Sequence, residues 1–139
     1  MYPHILLAAD GSENSFRAAK EAAKLAKLSE HTKITLLFVI DFEKVKTDVL
    51  HANSAESLYM ERKKKLQAIE QLFTTEQVFY SIEMIHGNPG SEIVKYANSN
   101  NVDLVIIGSR GLNSLQEMVL GSVSHKVMKR VQCPAMIVK

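Results

Sequence analysis

No disulfide can close within this chain, because Cys133 is its only cysteine. That excludes the stapled secreted scaffolds and suits a reducing compartment. A charge excess is also lacking: 17 basic and 15 acidic residues leave a net charge of +2. Nucleic acid is therefore disfavoured as a partner, since no large cationic surplus is available to displace its counterions. Long hydrophobic runs are missing as well. The apolar stretches Ile5–Ala9, Ile34–Ile40 and Leu104–Ile107 fall far short of the roughly 20 residues a membrane helix needs. Asp10 ends the first of them before it is long enough for a signal core. No membrane partner is expected, and the expected location is cytoplasmic. His4, His31, His51 and His86 lie scattered, without metal-ligand spacing, so no metal site of the protein's own is expected.

What is present is the composition of an ordinary globular protein, 46% apolar and 23% charged over 139 residues. That length suits one domain, 1–139, with a core that needs no staple. The hydrophobic period switches repeatedly between strand-like and helix-like. Ile5–Ala9 is a continuous apolar run, as expected of a strand buried on both faces. Ser12 then reads as an N-cap, and Phe16, Ala19, Ala23 and Ala26 share one helix face. Ile34–Ile40 is a second buried strand; Asp41–Ser54 lacks a clear period and reads as a mobile connection.

Leu58, Leu66, Ile69 and Phe73 mark an amphipathic helix over Ser54–Phe73. Its basic run Arg62–Lys65 is flanked by Glu56, Glu61 and Glu70, the pattern of a solvated face rather than a nucleic-acid patch. Val78–Ile85 alternates as a third strand, with Val78, Tyr80, Ile82 and Met84 on one side. Pro89 fits a first helical position after Asn88, and Ile93, Tyr96 and Ala97 give that helix its inner face. Leu104–Ile107, Gly121–Arg130 and Ala135–Val138 complete the series as strand, helix and strand. Such alternation predicts an α/β domain: an open five-stranded parallel sheet with helices on both faces. In that architecture ligands sit beyond the carboxyl ends of the strands, where the strand order reverses.

Two such ends carry suitable residues, Asp10-Gly11-Ser12 and the segment from Gly108 onward. Gly108-Ser109-Arg110-Gly111 is followed by nine residues and then Gly121-Ser122-Val123-Ser124. Gly108 and Gly111 permit a tight turn and a close approach of main-chain N–H groups to a ligand. Gly121 and Ser122 stand where a helix begins, so its free amides and dipole can hold an anion. The hydroxyls of Ser122 and Ser124 can add hydrogen bonds to phosphate oxygens, and Arg110 can add a charge. Neither common nucleotide signature is present, and glycines at a strand end are often turn formers only.

The pattern Gly-x2-Gly-x9-Gly-Ser resembles the ATP-binding signature of the universal stress protein family. The likeness extends to Ile5–Ser12, to Gly87-Asn88-Pro89 and to Cys133–Val138. The resemblance implies a Rossmann-like, adenine nucleotide alpha hydrolase-like fold that binds ATP, with magnesium carried by the phosphates and within reach of Asp10. It further implies that Ala8, Ala9 and Val39 contact the adenine, and that Asp10 lies near the ribose and phosphates. Gly108, Arg110 and Gly111 would form the adjoining loop, and Gly121, Ser122, Val123 and Ser124 the phosphate cradle. Relatives commonly dimerise through the last strand, which implies a homodimer here.

Other readings of the same residues stay open. Asp10 can instead satisfy loop amides or cap the first helix, and Ser12 reads as a cap before it reads as a ligand. His125 adjoins the cradle, but no nucleophile and orienting group pair with it, so no catalytic residue is assigned and at most weak hydrolysis is expected. Cys133 reads as a packed thiol, and Met118-Val119-Leu120 as a lid or interface. The functional expectation is a nucleotide-binding regulatory or stress-response protein. The alternatives are a slow ATP hydrolase or nucleotidyl transferase, and a dimeric interaction protein without nucleotide.

Overall fold

The computed structural model describes residues 2–10, 12–41, 55–109 and 121–139, with the backbone alone at 55–59, 61 and 62. Its elements are β1 (His4–Ala9), α1 (Glu13–Ala26), β2 (Lys33–Ile40), α2 (Ala55–Thr75), β3 (Phe79–His86), α3 (Pro89–Ser99), β4 (Leu104–Gly108), α4 (Ser122–Arg130) and β5 (Ala135–Val138). All strand pairings are parallel, in the order β3-β2-β1-β4-β5. This is the predicted open sheet. The chain moves outward from β1 to β3, then returns to the other side of β1 for β4. The order therefore reverses between β1 and β4, and a crevice opens at their carboxyl ends.

The apolar runs explain why β1 sits in the middle. Ile5, Leu6 and Leu7 are fully buried, each contributing about 1.5–3 kcal/mol relative to an exposed side chain. Ile5, Leu7 and Ala9 face one cluster with Ala18, Ala19, Ala22, Ala23 and Ala26 of α1 and Ile69 and Phe73 of α2. Leu6 and Ala8 face the other, with Ile93 and Ala97 of α3 and Val127 of α4. Helices thus cover both faces of the sheet. The alanine stripe lets α1 lie close on the strands, because small side chains fill little depth.

Two side chains depart from the expected pattern. Phe16 is only half-buried, and Lys20 Nζ lies 5.1 Å from its ring centroid, so the inner face of α1 is its alanines. Met84 is 50% exposed, because β3 is an edge strand with incomplete cover. Ile85 packs instead, on the opposite face. Lys63, Lys64 and Lys65 are exposed on α2, as a solvated face requires. The expected connection at Asp41–Ser54 lies outside the described residues except for Asp41, and so does Met118-Val119-Leu120. Among the described residues no helix is long and apolar enough to cross a membrane.

Candidate functional site

The sheet's carboxyl edge opens into a cleft of about 500 Å³, within the range of small-molecule sites. Its apolar wall comes from Ala8, Leu37, Val39, Ile93, Ile107 and Val123, and its polar wall from Asp10, Ser12, Ser15, Ser109 and Gly121 to Ser124. The two walls suit a ligand with a flat apolar part and an oxygen-rich part. Three helices begin at this cleft: α1 at Ser12, α3 at Asn88 and Pro89, and α4 at Gly121. Each brings unpaired amides and the positive end of its dipole.

The three caps differ. Ser12 Oγ accepts from the Ser15 N–H at 3.2 Å, and Asn88 Oδ1 accepts from the Ser91 N–H at 3.1 Å. Gly87, at φ +148°, supplies the turn that swings Asn88 into place. Gly121 caps α4 in an extended conformation with no side-chain hydrogen bond. The helix ladder there begins with the His125 N–H donating to Gly121 O at 3.0 Å, leaving the amides of Ser122, Val123 and Ser124 without intrahelical acceptors. Among the described residues the N-terminus of α4 has no side-chain cap, so it leaves the most amides for something outside the helix.

Close packing fixes α1 against β4. A Cβ on Gly108 would meet the Asn14 backbone C and O at 2.7 Å each. Asn14 is buried, and its Nδ2 donates to Ser109 O. Gly108 therefore serves the approach of one main chain to another, a role in the protein itself beside the expected one toward a ligand. The Ser124 hydroxyl, 2% exposed, donates to Gly108 O at 2.9 Å. With its proton engaged there, it offers a phosphate only its backbone N–H. Ser122 keeps an exposed side chain.

Of the residues expected from the sequence, Ala8, Ala9, Asp10, Val39, Gly108, Gly121, Ser122, Val123 and Ser124 line this one cleft. Arg110 and Gly111 lie outside the described residues. Asp10 Oδ1 accepts from the Ser12 N–H at 2.8 Å, so one carboxylate oxygen braces the turn, as the structural reading of Asp10 expects. Asp41 adds a second acid to the lining. Among the described lining residues there is no lysine or arginine, and among the described residues no group of three or more His, Cys, Asp or Glu could hold a metal ion. Cys133 is half-buried and is not among the lining residues, and burial raises its thiol pKa, which favours the protonated thiol.

The lining residues that the sequence reading did not assign include Ser15, Asn88, Pro89 and Ile93. A signal for three of them existed: every helix that follows a parallel strand begins at the same edge, so α3 had to open there too. Ser15 carried no such mark, because a serine inside a first helical turn is usually part of the capping chemistry.

The family model described as the universal stress protein family matches residues 1–139. Universal stress protein MJ0531 of Methanocaldococcus jannaschii is 30% identical over 142 residues, covering all of this chain and 83% of that protein. The solved structure of MJ0577, from the same organism, aligns with a TM-score of 0.82 at 32% identity, over 100% of this chain and 96% of that one. Two more distant structures share the fold at a TM-score of 0.70. One is a universal stress protein in complex with cAMP, 22% identical over 99% of this chain and 97% of its own. The other is an Arabidopsis thaliana protein with AMP bound, 20% identical over 98% and 90%. On the family match over its whole length, this chain belongs to the universal stress protein family.

Proposed function

We propose that this protein binds an adenine nucleotide, ATP, in the cleft between β1 and β4, and acts as a regulatory or stress-response protein. The N-terminus of α4, which no side chain caps among the described residues, carries the reading. Three amides at Ser122, Val123 and Ser124 open beside an apolar wall, which suits a polyphosphate joined to a flat base. In this reading Ala8, Ala9 and Val39 border the adenine, and Asp10 lies by the ribose and phosphates. Gly108, Arg110 and Gly111 are assigned to the ribose and phosphates, and Gly121, Ser122, Val123 and Ser124 cradle the phosphates. Asp10 at the cleft suits a magnesium ion held mainly by phosphate oxygens and water, because one carboxylate is no magnesium site alone.

The ligand classes in the AMP-bound and cAMP-bound relatives support an adenine nucleotide. Calorimetry with ATP and magnesium tests it: a saturable exothermic isotherm is expected, and no heat at about 1 mM ATP, a binding free energy of about −4 kcal/mol, overturns it. Turnover of about 1 per second or more would move the protein to the hydrolase class. Ser122→Ala should weaken ATP binding by about 1 kcal/mol or somewhat more, the scale of one hydrogen bond to a charged group.

The proposal extends to a homodimer through β5. That strand ends the sheet, and Ala135, Met136, Ile137 and Val138 are all half-buried rather than covered. An apolar edge of this kind pairs readily with a second copy. Sedimentation at micromolar concentration should give twice the chain mass; a monomer there overturns the dimer.

A further inference from the structure

Ser15 occupies the third position of α1, after the Ser12 cap. It is 3% exposed, and among the described residues its Oγ has no hydrogen-bond partner. A buried hydroxyl is normally satisfied, and a serine in a helix commonly returns its proton to the preceding turn. Ser15 does neither, yet it lines the cleft beside Ala9, Asp10 and Ser12. Its backbone N–H is already engaged with Ser12 Oγ, so the side-chain oxygen is the unused group. The N-terminus of α1 thus adds an unpartnered, buried donor to the polar wall, on the opposite side of the sheet from α4.

We propose that Ser15 Oγ is a ligand contact, donating a hydrogen bond to an oxygen in the sugar-phosphate part of the bound nucleotide. The inference rests on the nucleotide reading above. Donation is the favoured direction because phosphate oxygens only accept. The hydroxyl, unpaired among the described residues, is satisfied on binding, so its cost falls on the free state and its benefit on the complex.

That division gives a signature no structural serine has. Ser15→Ala removes no hydrogen bond among the described residues and installs a better helix former, so the melting temperature without ligand should stay level or rise. ATP affinity, measured by calorimetry on the full chain, should fall about tenfold, the scale of one hydrogen bond to a charged group. Adenosine, titrated in parallel, identifies the oxygen: a loss confined to ATP assigns a phosphate oxygen, and an equal loss with both assigns a ribose hydroxyl. Wild-type ATP affinity in a folded Ser15→Ala protein overturns the inference and leaves the nucleotide reading standing. So does a lowered ligand-free melting temperature with ATP affinity intact, the mark of a hydroxyl held by buried water. A wild-type protein that binds no ATP overturns both.

Discussion

Gly121→Val is expected to keep the fold and lose the nucleotide. Gly121 is buried and lines the cleft at the mouth of α4. Its backbone lies at φ −64° and ψ 156°, an extended conformation open to valine, so the substitution adds no backbone strain. As an N-cap, valine is poorer than glycine by a modest amount, and the circular dichroism spectrum should be unchanged. What changes is the space in front of the Ser122 to Ser124 amides. Phosphate oxygens must approach an amide nitrogen to about 2.9 Å to accept from it, and a branched side chain at the cap holds them off. Losing the charge-assisted bonds of a polyphosphate should weaken ATP binding by at least a hundredfold, about 3 kcal/mol. Gly121→Ala, with one carbon added, should fall between. Unchanged ATP affinity in folded Gly121→Val would move the phosphates away from α4 altogether.

The contrast between what could and could not be read from the sequence has a physical source. β1, β2 and β4 were legible because a strand buried on both faces is apolar almost throughout: Ile5–Ala9 and Leu104–Ile107 are uninterrupted, and Ile34–Ile40 is broken only by Thr35. β3 was legible as a strand but not in its exposure. Alternation predicts an inner face, yet an edge strand has cover on only part of it, so Met84 lies open while Ile85 packs. The place of the cleft followed from topology, since parallel strands present all their carboxyl ends on one side. Individual hydrogen bonds did not follow. The Ser124 proton goes to Gly108 O, and Asn14 reaches Ser109 O, because α1 and α4 close on the end of β4 from opposite faces. That approach is a property of three elements together, and no local pattern records it.

The same approach makes Gly108 the residue whose change should cost the fold most. In Gly108→Ala the new Cβ falls 2.7 Å from both C and O of Asn14, well inside van der Waals contact. These are main-chain atoms in the first turn of α1, so no side-chain rotation relieves the overlap. The helix start must move away from β4, taking Asn14 off Ser109 O and shifting Gly108 O from the Ser124 hydroxyl. Overpacking of this kind costs about 1–3 kcal/mol, and each buried hydrogen bond disturbed adds about 1 kcal/mol or more. The expected loss is about 3 kcal/mol, a fall in melting temperature of roughly 10 °C for a chain of this size. Truncating the neighbour separates this account from ordinary crowding. Asn14→Ala removes a side chain but none of the clashing backbone atoms, so it should not rescue Gly108→Ala, and the double variant should melt no higher than Gly108→Ala alone. Recovery of stability in that double variant would place the conflict on the Asn14 side chain. A Gly108→Ala protein that melts like the wild type would mean that α1 can stand off from β4, and the polar wall of the cleft would then not be fixed by the strand beneath it.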